Sequence, residues 1–241
     1  METAAKAVAE TGREALEAAH VTAEAAHDAL VRARAQRDEL LVLTSHDMKN
    51  AIGILDSALT MIEEMPEGAA SMRGMMRRAT HRLGILVRAM IDVDLLQRDL
   101  MPLVQAEVRF AAITEPVVEA ALAVAATKDL TVVPSGELDA RLTCDASLVE
   151  RMVAALLEHA LANAPDGSTI DLVGARTASG GFCVRVVHCG RAVGTMALDK
   201  YFTTLPLRFC RLAAIRHGAV LRAVSPVADD VGLALEIELP G

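Results

Sequence analysis

The sequence predicts an α+β chain in which a helical hairpin is followed by an α/β layer sandwich. Three observations predict it. Apolar residues recur at alternating spacings of three and four through residues 41–65 and again through 72–93, and Met65-Pro66-Glu67-Gly68 interrupts the two runs. Beyond about residue 106 that period gives way to short β-branched runs alternating with helical stretches. Two of those runs are joined by Ser179-Gly180-Gly181, the mark of an antiparallel hairpin.

Taken in order, residues 1–40 are rich in Ala, Glu and Arg, hold no Pro and one Gly, and read as a helical arm able to run on into the next helix. Leu41, Thr44, Met48, Ala51, Leu55, Ala58, Ile62 and Met65 then form the seam of a bundle or coiled-coil helix. A second helix starts near Ala69 and stops before Met101-Pro102, with Met72, Met76, Ala79, Leu83, Leu86, Met90 and Val93 as its seam. Two such helices make an αα-hairpin that cannot cover both seams alone, whereas two hairpins paired as a four-helix bundle can. The geometry thus predicts a homodimer.

A strand at 107–110 precedes a helix at 111–126, followed by strands at 130–134 and 140–144. A helix at 146–164 is closed by Pro165-Asp166-Gly167. Strands at 168–176 and 182–187, a helix at 205–217 capped by Gly218, and strands at 219–225 and 232–239 complete the chain. The expected domains are an arm at 1–40, a hairpin at 41–101 and a sandwich at 106–241.

Composition narrows the function classes. Hydrophobic residues make up 53% and aromatics 2%, with 11 Met and no Trp, so the core must be aliphatic. A net charge of −8 argues against nucleic acid as the main ligand. Cys144, Cys183, Cys189 and Cys210 form no C-x-x-C pair or zinc spacing and are expected as thiols in a reducing compartment. The amino terminus lacks a basic start followed by an apolar run, and no charge-free apolar stretch of roughly 18 residues occurs. No signal peptide, no membrane span and a cytoplasmic location are the expectations.

The chemistry concentrates in Ser45-His46-Asp47-Met48-Lys49-Asn50. With the seam at a and d, His46 falls at f, farthest from it; Asp47 is beside it at g, and Asn50 is one turn on, on the same side. A lone histidine there is ordinarily a solvated surface residue. An imidazole with a carboxylate next to it and a carboxamide one turn away instead suits a nucleophile that serves a macromolecular partner. Gly53, one heptad after His46, leaves a flat spot on the same face.

This motif followed by an apolar helix resembles the H box of two-component sensor histidine kinases, and residues 145–170 resemble the helix and turn around that family's N box. The resemblance covers roughly residues 41–241. It implies a dimeric four-helix bundle followed by a kinase-type, Bergerat-like α/β sandwich. His46 would be the phosphoacceptor, Asp47 the base that orients it, and Asn50 the group positioning water for dephosphorylation of the partner.

The nucleotide positions depart from the family pattern. His159 stands where an Asn holds magnesium, and Ala155 where an earlier Asn lies; a hard magnesium ion prefers oxygen ligands. In Val186-Val187-His188-Cys189-Gly190-Arg191-Ala192, His188 replaces the adenine-recognising Asp and Ala192 the second Gly. Leu205-Pro206-Leu207-Arg208 stands where a glycine-rich phosphate loop is expected, and almost nothing between Phe202 and Leu205 is left for an ATP lid. His159, His188 and Cys189 match no standard metal spacing and are expected to fill an emptied pocket.

The expectation is therefore a histidine phosphotransferase of a phosphorelay, exchanging a phosphoryl group between His46 and the Asp of response-regulator receiver domains. No cofactor is expected of its own: no ATP, and magnesium supplied only by the receiver. The rival expectations are a phosphatase or sequestering regulator of a response regulator, using Asn50, and a non-catalytic scaffold.

Overall fold

The computed structural model of the chain describes residues 2–64, 69–190, 202, 204–225, 227 and 232–241; the side chains of 2–19 and of scattered positions in the two long helices, His46, Asp47 and His81 among them, lie outside that description. Two compact units are present, residues 1–49 and 50–241.

The first unit is helical and belongs to α1 (Glu2–Glu64). Every described side chain from His20 to Val42 is exposed, including Val21, Leu30, Val31 and Val42. Burial begins at Thr44, the first described seam position.

In the second unit, the seam continues through the last turns of α1: Ala51 and Ala58 are buried, Leu55 and Ile62 half-buried. The side chain of Leu41 and the expected stop at residues 65–68 lie outside the description. Helix α2 (Ala69–Gln97) repeats the pattern, with Ala79, Leu86 and Val93 buried and Met72, Met76, Leu83 and Met90 half-buried. Then come β1 (Ala106–Arg109), α3 (Phe110–Ala125), β2 (Thr131–Gly136), β3 (Arg141–Cys144), α4 (Ala146–Asn163), β4 (Thr169–Arg176), β5 (Phe182–His188), α5 (Leu205–Arg216), β6 (Val220–Val224) and β7 (Leu233–Leu239). The expected elements of the sandwich are all there, each end within a residue or two.

Strands β1 and β3 form a small antiparallel ladder, Val108 opposite Leu142. The main sheet runs β2-β4-β5-β7-β6, antiparallel except for β2 with β4. The hairpin expected across Ser179-Gly180-Gly181 is the antiparallel pair of β4 and β5. Helix α4 lies in the connection between β2 and β4 and returns the chain to the same end of the sheet. Pro134 sits in β2 because β2 is an edge strand, where a missing N–H leaves no ladder bond broken.

Alternation along the strands gives the sheet a buried face and an outer one. Ile170, Leu172, Val184, Val186, Leu235 and Ile237 point inward with Ile113, Met152 and Leu156 in the core. The outer face carries cross-strand ion pairs, Arg185–Glu236 at 2.9 Å and Arg222–Glu238 at 3.2 Å. Phe110 and Phe182 meet with ring centroids 5.0 Å apart. They cover Gly174, where an added Cβ would lie 2.4 Å from Phe110 Cε1. The segment Phe110–Lys128 is long and apolar enough by composition to cross a membrane. Its residues Phe110, Ile113, Val117, Ala121 and Ala125 are buried in the domain, and α3 packs on α4 and β2, so it is accounted for as a core helix.

Candidate functional site

His46 lies on the helical backbone of α1; its side chain and that of Asp47 are outside the described residues. Their neighbours Ser45, Lys49 and Asn50 are exposed, whereas Thr44 is buried and Met48 half-buried. Gly53 is exposed as well, with nothing within 4 Å of where a Cβ would stand. These burials follow the expected register, in which position 46 points away from the seam.

Helix α4 begins at Asp145, whose Oδ1 accepts from the Leu148 N–H at 3.1 Å, an N-cap. Its Oδ2 accepts from the Val104 N–H at 2.9 Å. The Asp145 N–H donates to His217 Nε2 at 3.2 Å, and His217 Nδ1 stands 2.8 Å from the Ala213 carbonyl. This buried network fixes the start of α4 against the end of α5.

Further along α4, Ala155 is buried and lines a cavity of about 300 Å³ between α2, α4 and α5, together with Gly84, Ala89, Arg151, Glu158 and Phe209. Arg151 forms an ion pair with Asp92 of α2 and lies 4.6 Å from the Phe209 ring centroid. The face of α4 that bears Ala155 is therefore turned toward α2.

One turn on, His159 and His188 approach with ring centroids 6.3 Å apart. Burial first, and the neighbouring His188 second, pull the His159 pKa down to about 4. Burial also lowers that of His188. Asn163 Nδ2 donates to the His159 carbonyl at 2.8 Å and lies 3.3 Å from His159 Nε2, so this amide is turned back onto its own helix.

His188 is buried at the end of β5. Its Nδ1 accepts from the Gly190 N–H at 3.1 Å, which leaves Nε2 carrying the proton, and Nε2 has no hydrogen-bond partner among the described residues. Gly190 is required by this approach, because a Cβ there would come within 2.6 Å of His188 Nδ1. Arg191, Ala192 and the rest of 191–201 lie outside the described residues.

Leu205-Pro206-Leu207-Arg208 is the first turn of α5, with Pro206 in its opening positions. The proline's fixed φ suits a helix start, so at this place the backbone is coiled on itself.

No described group of three or more His, Cys, Asp or Glu side chains is arranged to hold a metal ion. All four cysteines are free. Burial, then Asp145, pushes the Cys144 thiol up to about 11, and burial raises that of Cys210 further, which keeps both in the poorly nucleophilic thiol form at neutral pH.

The sequence reading missed the Asp145–His217 network and the Asp92–Arg151 pair. A polar residue just before the apolar run of α4 was a legible capping signal for Asp145. The Asp92–Arg151 pair carried no local signal.

No family profile and no curated protein matches the chain. Solved structures do match. Histidine kinase AdeS of Acinetobacter baumannii superposes with a TM-score of 0.64 at 16% identity, over 81% of this chain and 97% of that one. Full-length ShkA, solved in complex with AMPPNP, gives 0.60 at 14% identity, over 84% of this chain and 45% of that one. The catalytic domain of histidine kinase ThkA gives 0.52 at 15% identity, over 57% of this chain and 97% of that one. The chain therefore has the fold of the histidine-kinase catalytic domain, preceded by helices.

Proposed function

We propose that the protein is a homodimeric histidine phosphotransferase of a two-component phosphorelay, working without a nucleotide of its own. The observation that carries this reading is a contrast within one kinase-type fold. The heptad register of the sequence puts His46 at f, away from the seam, while the places where a magnesium nucleotide would be held offer a buried methyl group (Ala155), two neutral imidazoles (His159 and His188) and a proline-started helix (Leu205–Arg216). Magnesium favours oxygen donors, and a phosphate loop needs free backbone N–H groups. The residues present do not fit that group.

In the proposed reaction the phosphorus atom leaves the aspartyl oxygen of a phosphorylated receiver and bonds to an imidazole nitrogen of His46. The receiver carboxylate is released, and the reverse step phosphorylates a second receiver. Asp47 holds the imidazole in the reactive tautomer. The receiver's acidic pocket brings the magnesium that offsets charge in transfer. Dimerisation is supported by Ile52, Ile54, Leu59 and Met61, exposed apolar residues flanking the α1 seam that a second hairpin would cover.

Purified protein with labelled ATP and magnesium is expected to stay unlabelled. With a phosphorylated receiver it is expected to gain a label that His46→Gln abolishes. Labelling from ATP would overturn the reading. Asn50, exposed one helical turn after His46, favours a second reading as a receiver phosphatase. Receiver phosphate would then fall with no labelled intermediate, and Asn50→Ala would slow the loss.

A further inference from the structure

Helices α2, α4 and α5 do not close on one another where they meet. A cavity of about 300 Å³ stays between them, at the lower end of the size range of small-molecule sites. Small residues keep it open: Gly84 and Ala89 on α2, Ala154 and Ala155 on α4. Gly84 is the most telling of them. It sits in the interior of α2, where glycine costs helix stability relative to alanine. Yet an added Cβ there would meet no atom within 4 Å, so no close approach requires the glycine. Its effect is to leave space. A gap in a packed interior forfeits contacts that larger apolar side chains would recover.

The walls are chemically divided. Ile85, Ala89, Ala155 and Phe209 give an apolar lining, buried or half-buried, whose side chains offer ordered water no hydrogen-bond partners. Arg88 of α2 and Arg151 of α4 line the cavity as well. Arg151 is turned to Asp92 and to the Phe209 ring. Burial first, and the charge of Arg88 second, lower the Arg151 pKa, so the two guanidinium groups lie within reach of each other's field. Glu158 lines the cavity two turns beyond Arg151, about 10 Å along α4. Positive charge is thus gathered around Arg151. Gly84, Arg88 and Glu158 are exposed and mark a mouth open to solvent.

We propose that this cavity binds a small amphipathic carboxylate, its head group between Arg88 and Arg151 and its hydrocarbon part against Ala155 and Phe209. Planar guanidinium forks match a carboxylate two bonds at a time, and the anion offsets the repulsion between two cations. A wholly apolar guest would strip water from those guanidinium groups and return nothing. A cationic guest would add to the repulsion. Because α2 supplies one wall and α4 and α5 the others, the occupant also joins the helical hairpin to the sandwich. Such a site needs no phosphoryl group on His46.

The test titrates the full chain with sodium octanoate at neutral pH, with 1-octanol and octylammonium chloride as comparisons. Heat, melting temperature and the methyl resonances of Ile85 and Ala89 are followed. Octanoate is expected to bind at submillimolar concentration, to raise the melting temperature and to shift those methyls. Octanol should bind about tenfold more weakly and octylammonium weakest of all. Arg88→Met should weaken octanoate about tenfold and leave octanol unchanged. Ala154→Leu, which fills the space, should abolish binding while the unliganded chain melts no lower. Should that variant not fold, Gly84→Leu fills the same space from α2. The site is overturned if octanoate gives neither heat nor shift at millimolar concentration, or if octylammonium matches it. It is equally overturned if Arg88→Met binds octanoate as tightly as the native chain, or if a folded, cavity-filled variant still binds it.

Discussion

Arg151 of α4 is paired with Asp92 of α2 while its guanidinium lies over the ring of Phe209 on α5. One side chain thus joins three helices. A second arginine does a related job: Arg216 pairs with Asp99, just after α2, and donates from Nη2 to the Met101 carbonyl at 3.1 Å. Together they tie α2 and the chain that follows it to the helical layer of the sandwich.

Removing one partner of the first pair leaves the other charge poorly solvated. The Asp92 side chain is 10% exposed and that of Arg151 30%. Arg151→Met is therefore expected to cost about 2–3 kcal/mol, less than a fully buried pair would lose. Asp92→Asn combined with Arg151→Met should recover part of that. Urea midpoints of the two single variants and the double variant measure the coupling, and simple additivity would show that the pair contributes nothing specific.

Stability should fall on mild acidification. His159 keeps its neutral form in the folded protein down to about pH 4, whereas in the unfolded chain it takes up a proton near pH 6.5. The unfolded state thus binds more protons between those values. The stabilisation is whole above pH 6.5 and is lost as pH falls toward 4, by about 2–3 kcal/mol. Denaturation midpoints across that window should drop more steeply in the native protein than in His159→Gln, and parallel profiles would contradict the assignment.

Gly174 has no room to grow. A methyl group there meets Phe110 Cε1 at 2.4 Å and Phe182 Cζ at 2.8 Å, atoms of two rings already packed against each other. Gly174→Ala should destabilise by about 2–3 kcal/mol. Gly180→Ala, on an open turn at positive φ, serves as the comparison, losing stability only through backbone strain. Thermal melts distinguish the two.

Asp145 answers two backbone donors and supplies a third hydrogen bond to His217. Asp145→Ala leaves the N–H groups of Leu148 and Val104 without acceptors, at a cost of about 2–3 kcal/mol. Asp145→Asn keeps one acceptor and should cost less. His217→Phe strands the Asp145 N–H and should fall between them. Equal melting temperatures for all three would show that the network does not hold the start of α4.

The seams of α1 and α2 and the strands of the sandwich were readable before any coordinates, because a repeat of three and four or of two records which consecutive side chains face the same way. Thr44, Ala51 and Ala58 are buried at such positions, and Ile170 and Leu172 alternate with Asp171 and Val173. The identities of Ala155, His159 and His188 were also visible. What those residues do in the fold was not. That His188 accepts from the Gly190 N–H, and that Ala155 faces α2 across a cavity, depends on how distant segments meet.

By itself the sequence determined the order and type of the elements and the identity of the residues offered for chemistry, since both follow from short-range periodicity and turn preferences. Only the tertiary structure decided the parallel pairing of β2 with β4 and the grip of Arg151 on Asp92. Those outcomes depend on distances between residues far apart in the chain, and no local pattern of side chains encodes them.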